Sequence, residues 1–548
     1  MQFNPELSRK TRNIERLYQL ASQAAAEGAK LIVTPEMATT GYHFADRQAI
    51  RDLVEPIPGP TTDRLGELCR KYGAYIVISL PEVDPRSGLY YIAAAVIGPA
   101  GVVGTYRKMH LWEAETRWAA PGDLGVPVFD TELGRLAVNI CMDSTFFESA
   151  RIAALKGADL LAFPTNSSGQ SLAVLKYRAE QNGLYIVAAN RADKEMDFHM
   201  IGGSAVWDPF GNKLAEGEFF AGDDPAASPP PDSIVYAVVD PALYANARKS
   251  LLGERRPELY HNLMLDLSAW DPVKENPSRL IHAAVVQMTP VQGDKAANMG
   301  KMERLVQCVS EAAEHEGLDI IVFPELAFTG PPAGPAFAGR LAESLDGEAI
   351  ARFRKLAAER RIHLAFGFLE AKEGKLYNSI VLISLEGRIE GVYRKTHLTG
   401  EERLWATPGS EISVTVSEKL GRVGMLTAYE ANFPEAAGLM AVHRADLVIV
   451  PAAHPVPRQA PSMQAVAQSA QAYVLAAGYG EGSGLYGSDA LEGLDQTEVM
   501  QPGERVAYFR FHTRPAERWF SQQLLLAARR PPNYAGLLHV REAPHNLV

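Results

Sequence analysis

Residues 133–148, Leu133-Gly-Arg-Leu-Ala-Val-Asn-Ile-Cys-Met-Asp-Ser-Thr-Phe-Phe-Glu148, join an apolar run to a short amphipathic stretch. The run 136–140 predicts a buried strand that ends at Cys141, residues 148–156 predict a helix, and 159–163 predict the next strand. A thiol at the C-terminal end of a strand, ahead of a helix, lies where open α/β sheets place reactive groups. Cys141 is therefore a candidate nucleophile, and the alternative is a small buried apolar residue, as lone cysteines commonly are.

The length and charge of the chain limit its organisation and partners. A chain of 548 residues exceeds one ordinary core, so two domains of roughly 250 residues are expected. A composition of 47% hydrophobic and 22% charged residues is typical of a globular protein. The net charge of −11 argues against a nucleic-acid partner or an anionic membrane surface.

The cysteines indicate a reducing compartment, and the lengths of the apolar runs bear on membrane association. Three cysteines, Cys69, Cys141 and Cys308, favour free thiols over a disulfide framework. No Cys–His spacing is typical of a zinc site, so neither a metal nor an organic cofactor is expected. The N-terminal residues lack a signal-peptide pattern and no apolar run reaches 18 residues, so we expect a cytoplasmic protein without a membrane partner.

The chain contains one long tandem repeat. The run Leu-Ile-Val-Thr-Pro-Glu36 recurs as Ile-Ile-Val-Phe-Pro-Glu325, at a separation of 289 residues. Tyr-Arg-Lys108-Met-His-Leu recurs as Tyr-Arg-Lys395-Thr-His-Leu, at 287. Near the ends, Arg255-Arg-Pro-Glu-Leu-Tyr260 resembles Arg529-Arg-Pro-Pro-Asn-Tyr534. Two copies at this period indicate a domain duplication rather than a solenoid, whose repeats are far shorter.

The repeat predicts the domain boundaries. We expect a first domain over 1–267 (copy 1), a linker over 268–280 and a second domain over 281–548 (copy 2). Strands alternate with helical stripes in both copies, which predicts α/β layers. Copy 2 opens with a full strand, 281–288, whereas only Met1-Gln-Phe3 of copy 1 aligns with its end. Either copy 1 tolerates a truncated first strand or its start lies upstream.

Three residues of copy 1 at strand ends suggest chemistry: Glu36, Lys108 and Cys141. A cysteine thiol at neutral pH is mostly protonated, so a nucleophilic cysteine needs a base or a cation beside it. A carboxylate can take the thiol proton, and an ammonium can stabilise a thiolate and an oxyanion. Each residue also lies in a patterned context, Thr-Pro-Glu-Met-Ala-Thr-Thr-Gly-Tyr, Tyr-Arg-Lys-Met-His-Leu-Trp and Asn-Ile-Cys-Met-Asp.

These contexts resemble the nitrilase superfamily of carbon–nitrogen hydrolases, and the resemblance extends over nearly the whole chain. It implies two consecutive α/β domains, each a four-layer α-β-β-α sandwich. It also implies a Glu–Lys–Cys triad on Glu36, Lys108 and Cys141, with Glu115 as a second active-site glutamate. A solvated surface position is the alternative for Glu115. His110 and His397 follow the lysines as well, and we interpret both as structural hydrogen-bonding residues.

The resemblance implies acyl transfer through a thioester. Glu36 would take the thiol proton, Cys141 would attack an amide or nitrile carbon, and Lys108 with the backbone N–H of Met142 would hold the oxyanion. Glu36 would then activate a water, and Glu115 would position the substrate or Lys108. The residues expected to line the substrate pocket are Asp143, Thr145, Asn166 and Arg178.

Copy 2 departs from the pattern at its centre. Glu325, Lys395 and Glu402 are retained, but Ala428 stands where copy 1 has Cys141. An engineered Cys→Ala substitution would leave the surroundings intact, whereas copy 2 also has Gly478 where copy 1 has Asn190. This broader drift favours a natural pseudoenzyme. We expect copy 2 to pair with copy 1 as an intrachain pseudo-dimer. The sequence leaves open whether several chains assemble further into a homo-oligomer.

The residues that follow the thiol bear on the substrate class. Relatives that act on carbamoyl amino acids often carry an arginine three or four residues after the cysteine, where this chain has Ser144 and Thr145. The expected substrate is therefore a small neutral or cationic amide or N-carbamoyl compound, although Arg178 could supply a cation. A nitrilase or an acyltransferase with the same triad, and a non-catalytic binding or scaffold protein, are the alternatives.

Overall fold

The computed structural model describes residues 1–221, 228–267, 277–312, 317–454, 463–488, 497–514 and 521–539. These residues form two compact units. Unit 1 contains residues 1–253 and the C-terminal residues from 528, and unit 2 contains residues 254–527. Most of the predicted linker, 268–276, lies outside the described residues. No described helix combines the length and apolar character needed to cross a membrane.

Unit 1 contains two main sheets. One has four strands, in the order Leu31–Val33, Tyr75–Val83, Tyr90–Gly98 and Gly101–Arg107. The other has six, in the order Lys213–Glu216, Ala205–Trp207, Tyr185–Ala189, Leu160–Pro164, Gly134–Val138 and Val128–Thr131. Lys194–Glu195 and Phe198–His199 form a short hairpin. The central strands of the six-stranded sheet are parallel, which places their C-terminal ends at one edge.

The helices of unit 1 form from amphipathic segments. Helix Lys10–Ala26 buries Leu17, Ala21, Ala24 and Ala25 on one face. Helix Pro60–Tyr72 begins with proline and ends at Gly73, whose φ of 59° suits a glycine cap. Together they cover the four-stranded sheet and bury one apolar core against it. The remaining α-helices are Arg47–Ile50, Phe147–Leu155, Gln170–Ala173, Leu175–Asn182 and Ala247–Ser250.

Unit 2 contains two six-stranded sheets. The first has the order Ile389–Arg394, Lys375–Ile383, His363–Lys372, Ile320–Val322, Leu280–Gln287 and Arg505–His512. The second has the order Val414–Ser417, Gly421–Met425, Leu447–Pro451, Tyr473–Ala477, Gly484–Tyr486 and Glu498–Val499. Its α-helices are Lys295–Ala312, Pro335–Leu341, Glu348–Arg360, Pro434–Val442 and Met463–Ala470, and Gln522–Ala528 ends at the boundary between the units. Each unit is therefore an α-β-β-α sandwich, as predicted.

The division by packing differs from the division by repeat. Residues 254–267 end copy 1 but pack within unit 2, and residues 528–539 end copy 2 but pack within unit 1. Leu280, placed in the predicted linker, already begins a strand. The two sequence copies therefore exchange their C-terminal segments between the compact units.

Candidate active site

Three strand ends bring the candidate triad together in unit 1. Glu36 follows strand Leu31–Val33, Lys108 follows Gly101–Arg107, and Cys141 follows Gly134–Val138. Because the two sheets face each other in the sandwich, these three ends converge on one buried point. Glu36 and Lys108 are essentially inaccessible, and Cys141 is 9% exposed.

Lys108 lies between two carboxylates. Its Nζ donates to Glu36 Oε1 at 2.7 Å and to Glu115 Oε1 at 2.6 Å. Glu115 also accepts hydrogen bonds from the Tyr42 hydroxyl, at 2.7 Å, and from the Trp112 N–H, at 2.8 Å. Glu115 is thus buried beside Lys108, which excludes the solvated surface position considered for it. The second oxygen of Glu36, Oε2, is buried and has no hydrogen-bond partner among the described residues.

Cys141 occupies a strained backbone position. Its φ of 44° lies in the left-handed region that non-glycine residues rarely adopt. Residues held in this way cluster at functional sites because the surrounding structure must maintain the strain. The thiol Sγ lies 3.6 Å from Ser171 Oγ and 3.8 Å from the carbonyl oxygen of Asn166. The side-chain amide of Asn166 makes no hydrogen bond within the described residues.

Burial dominates the electrostatics of the site. Burial raises the pKa of Glu36 to about 7, although the Lys108 ammonium acts in the opposite direction. Burial and the Glu36 charge likewise raise the pKa of the Cys141 thiol above its ordinary value. Burial alone would lower the pKa of Lys108, but the Glu115 and Glu36 carboxylates outweigh it, so its pKa is raised and it stays an ammonium. The resting site therefore pairs a protonated thiol with a carboxylate that is readily protonated.

Two of the predicted pocket residues hold the turn that follows the thiol. The Asp143 carboxylate accepts from the Ile140 N–H, from the Tyr106 hydroxyl and from the backbone and ring N–H groups of His110. Arg178 is fully buried, and its guanidinium donates to the carbonyl oxygens of Ser144 and Thr145. Burial lowers the pKa of Arg178 to about 10. These contacts support residues 141–145, which we call the Cys141 turn.

The other pocket predictions differ in their surroundings. The Thr145 hydroxyl lies 3.7 Å from the sulfur of Met142 and is 5% exposed. Asn166 adjoins the thiol through its backbone and has unpartnered side-chain atoms, which suits contact with a ligand. No described cluster of three or more His, Cys, Asp or Glu side chains is arranged to hold a metal ion.

A tyrosine from the far end of the chain completes the support of the Cys141 turn. His110 Nδ1 bonds Asp143 Oδ1 at 2.8 Å, and His110 Nε2 bonds the Tyr534 hydroxyl at 2.7 Å. The Asp143 carboxylate accepts a hydrogen bond from Nδ1–H; in this tautomer the lone pair lies at Nε2, and the Tyr534 hydroxyl donates to it. The side chains of Asp143, His110 and Tyr534 are all buried. His110 thus makes the structural hydrogen bonds predicted for it.

Unit 2 repeats the charged cluster without a thiol. Lys395 Nζ donates to Glu325 at 2.9 Å and to Glu402 at 2.8 Å, and Ala428 is fully buried. Both oxygens of Glu325 are engaged, since Oε2 also accepts from the N–H of Ala453 at 3.0 Å. Ala428 does not share the positive φ of Cys141. The two units therefore differ in the residue at the nucleophile position. They differ also in whether the second oxygen of the glutamate accepts a hydrogen bond.

The supporting tyrosine also has a counterpart in unit 2. His397 Nε2 and the hydroxyl of Tyr260 lie 2.7 Å apart, and both side chains are buried. The exchanged C-terminal segments therefore make the same kind of contact in both units.

Sequence reasoning missed three residues of the site in unit 1: Tyr42, Ser171 and Tyr534. Tyr42 is the last residue of the Glu36 motif, so its position in the motif was an available signal. Ser171 reaches the thiol through a short helix whose sequence carries no marker. Tyr534 belongs to a visible repeat, but the repeat does not indicate which unit it packs against.

The chain is similar to known proteins over about half of its length. A nitrilase from Pyrococcus abyssi is 35% identical over 266 residues, 47% of this chain and 97% of the relative. A citrullinase from Francisella tularensis is 32% identical over 276 residues, 46% of this chain and 92% of the relative. A crystallised amidase from Nesterenkonia sp. is 26% identical, with a TM-score of 0.37. The match covers 46% of this chain and 92% of the amidase.

The family match covers both copies. The carbon–nitrogen hydrolase family model matches residues 1–249 and again residues 282–501. The two matches together span most of the chain, which confirms the tandem organisation predicted from the repeat. The chain therefore belongs to the carbon–nitrogen hydrolase family, within the nitrilase superfamily, and is a hydrolase of C–N bonds.

Proposed function

We propose that unit 1 hydrolyses a small amide or N-carbamoyl compound through a thioester on Cys141. The observation that carries this proposal is the unpartnered Glu36 Oε2 beside a buried thiol, with Lys108 fixed between Glu36 and Glu115. Glu36 takes the thiol proton as Sγ attacks the carbonyl carbon, and the oxyanion is held by Lys108 and the backbone N–H of Met142. The amine or ammonia leaves with the proton that Glu36 returns.

Glu36 then acts a second time. It removes a proton from a water that attacks the thioester carbon, and the thiol departs as the acid product forms. Glu115 keeps the Lys108 ammonium directed at the oxyanion position, since its carboxylate is itself fixed by Tyr42 and Trp112. The names of the relatives, which include a nitrilase, a citrullinase and formamidases, support carbonyl or nitrile carbons as the target.

The proposed substrate lacks a carboxylate near the reacting carbon. Ser144 and Thr145 offer no cation at the positions after the thiol, and the guanidinium of Arg178 is buried and donates to their carbonyl oxygens. A substrate carboxylate placed there would lose its hydration without a paired charge, which is costly. We therefore place neutral and cationic amides ahead of dicarboxylate ω-amides.

Ammonia release tests the proposal. The wild-type chain, Cys141→Ala and the matched control Cys308→Ala are assayed on a panel of amides, N-carbamoyl compounds and nitriles. We expect turnover by the wild type and by Cys308→Ala, whose thiol is exposed, and no turnover by Cys141→Ala. Mass spectrometry of a quenched reaction should show the acyl group on Cys141. Turnover that survives in Cys141→Ala would refute the mechanism.

We also propose that unit 2 is a pseudoenzyme. Ala428 supplies no nucleophile, and both carboxylate oxygens of Glu325 are already engaged. Cys141→Ala also tests this, because unit 2 is intact in that variant and should show no turnover of its own.

A further inference from the structure

A serine hydroxyl lies beside the thiol of unit 1. Ser171 Oγ is 3.6 Å from Cys141 Sγ, a distance at which a hydroxyl can form a hydrogen bond to sulfur. The described residues offer this hydroxyl no other hydrogen-bond partner. Ser171 is 6% exposed, so bulk water competes little for its proton. The Ser171 hydroxyl can therefore direct its proton at the sulfur.

Ser171 is held in this place by the Cys141 turn itself. It belongs to helix Gln170–Ala173, which packs against the turn. The carbonyl oxygen of Ser171 accepts a hydrogen bond from the Ser144 hydroxyl at 3.0 Å, and Ser144 is the fourth residue of the turn. Because the helix and the turn are joined in this way, local structure sets the distance between the hydroxyl and the thiol.

A second polar neighbour of the sulfur can only accept hydrogen bonds. The backbone carbonyl oxygen of Asn166 lies 3.8 Å from Sγ and can accept the S–H proton. It cannot donate, so it repels a sulfur that has lost its proton. A hydroxyl both donates and accepts, so Ser171 can bond the sulfur before and after Glu36 removes the proton. Of these two neighbours, Ser171 is the one suited to a thiolate.

The charged groups that face the thiol leave a thiolate only partly compensated. They are the carboxylates of Glu36 and Glu115 and the ammonium of Lys108, whose Nζ donates to both carboxylates. The Tyr42 hydroxyl, which also faces the thiol, donates to Glu115. Once Glu36 has taken the thiol proton, the thiolate and Glu115 share one ammonium. A neutral donor beside the sulfur therefore adds stabilisation that Lys108 supplies only in part.

We propose that Ser171 is a catalytic residue of unit 1, whose hydroxyl donates a hydrogen bond to the Cys141 thiolate. Hydrogen bonds to ionised acceptors are about twice as strong as those to neutral ones, and uncharged sulfur is a weak acceptor. The bond therefore stabilises the thiolate more than it stabilises the thiol or the thioester. Only such differential stabilisation accelerates a chemical step.

The step that benefits most is the hydrolysis of the thioester, so this role rests on the proposed function. The oxygen of a water forms a bond to the thioester carbon while Glu36 takes one of the water protons. The C–S bond then breaks, and its electron pair stays on Sγ, which leaves as a thiolate. The Ser171 hydroxyl stabilises this leaving group until Glu36 returns the proton to it.

Three substitutions of Ser171 separate the hydroxyl from the shape of the side chain. Ser171→Ala removes the hydroxyl. Ser171→Thr and Ser171→Val introduce branched side chains of nearly equal size, which differ only in whether a hydroxyl is present. The matched control is Ser483→Ala, which removes a buried hydroxyl of unit 2 that accepts from the N–H of Gly478. Urea denaturation shows which variants fold, and the Thr and Val pair keeps the test valid if Ser171→Ala does not.

Alkylation of Cys141 by iodoacetamide tests the hydrogen bond without a substrate. Loss of a hydrogen bond to a charged group should lower the thiolate population about tenfold. The remaining thiolate is more basic and hence about threefold more nucleophilic. Ser171→Ala and Ser171→Val should therefore be alkylated about threefold more slowly than the wild type, and Ser171→Thr and Ser483→Ala at the wild-type rate. Equal alkylation rates in Ser171→Thr and Ser171→Val would overturn the proposal.

Decay of the acyl group on Cys141 tests the step itself. Rapid-quench mass spectrometry follows this decay after a turned-over substrate is diluted away. The decay should be about tenfold slower in Ser171→Ala than in the wild type, a larger effect than on alkylation, because the thiolate leaves in this step. A wild-type decay rate in Ser171→Ala would overturn the role of Ser171. A wild-type chain that forms no acyl group refutes the proposed function instead, and alkylation then decides whether Ser171 donates to the thiolate.

Discussion

Removal of one hydroxyl group, in Tyr534→Phe, should slow the chemistry of unit 1. The Tyr534 hydroxyl donates to His110 Nε2 at 2.7 Å, and His110 in turn bonds the Asp143 carboxylate that holds the Cys141 turn. Phenylalanine keeps the ring and its packing but leaves a buried imidazole nitrogen without a donor. An unsatisfied buried group of this kind costs about 1–3 kcal/mol.

The cost should appear in kcat rather than in KM. The His110–Asp143 pair orients the backbone of the Cys141 turn and does not contact the proposed substrate position. If 1 kcal/mol of the cost reaches the transition state, kcat falls about fivefold, and 3 kcal/mol corresponds to about 150-fold. Steady-state ammonia release and the rate of Cys141 alkylation by iodoacetamide both measure the effect, and the second requires no substrate.

The exchanged segments provide a matched control. Tyr260→Phe removes the equivalent hydroxyl from His397 in unit 2, at the same distance of 2.7 Å and with the same complete burial. Both variants should lose similar unfolding free energy, but Tyr260→Phe should keep the wild-type kcat because unit 2 has no thiol at Ala428. Equal losses of kcat in the two variants would refute the positioning role of Tyr534. An unchanged kcat in Tyr534→Phe would refute it as well.

Three further predictions concern the glutamates. Burial raises the pKa of Glu36 to about 7, and Glu36 must be ionised to accept the thiol proton. We therefore expect kcat/KM to rise with pH through about 7. A flat profile from about pH 5 to 8 would contradict this. A raised carboxyl pKa lowers stability as pH rises from the unfolded pKa, about 4.3, to the folded value. Glu36→Gln should therefore abolish turnover, and its unfolding free energy relative to that of the wild type should rise as pH increases from 5 to 7, as followed by urea denaturation. In Ala428→Cys, the new thiol should be alkylated by iodoacetamide no faster than Cys308, because the backbone N–H of Ala453 already donates to the second oxygen of Glu325. Rapid labelling of the new thiol would contradict this.

The sequence predicted the fold because the signals are local and repeated. The Pro-Glu and Tyr-Arg-Lys motifs mark strand ends of one sheet, whereas Cys141 follows a strand of the other sheet, so the convergence of the three residues was implied by the family resemblance and not by strand order. The buried position of Glu115 was not accessible, because it depends on the Tyr42 hydroxyl from a distant loop. The left-handed backbone at Cys141 also has no sequence marker, since such strain is maintained by the surrounding packing.

The exchange of C-terminal segments shows a second limit of prediction from sequence. The two segments carry nearly the same Arg-Arg-Pro pattern, and each unit offers nearly the same acceptors. Arg529 meets Glu148 in unit 1, and Arg255 meets Glu435 in unit 2. Complementarity therefore cannot decide which segment binds which unit, because both pairings satisfy the same charges and hydrogen bonds. The choice depends on the path of the chain between elements, which residue patterns do not encode.

The same energetics explain why unit 2 lacks a thiol but retains its charges. An alanine in place of a small buried thiol removes little packing, so the Cys141 position can change at low cost. Lys395 is different, because it is buried with two carboxylates and its pKa is raised by them once they outweigh burial. Removal of one member of such a cluster leaves an uncompensated buried charge, at about 3–5 kcal/mol. Burial alone therefore favours keeping Glu325, Lys395 and Glu402 together, and their presence is by itself no sign of activity.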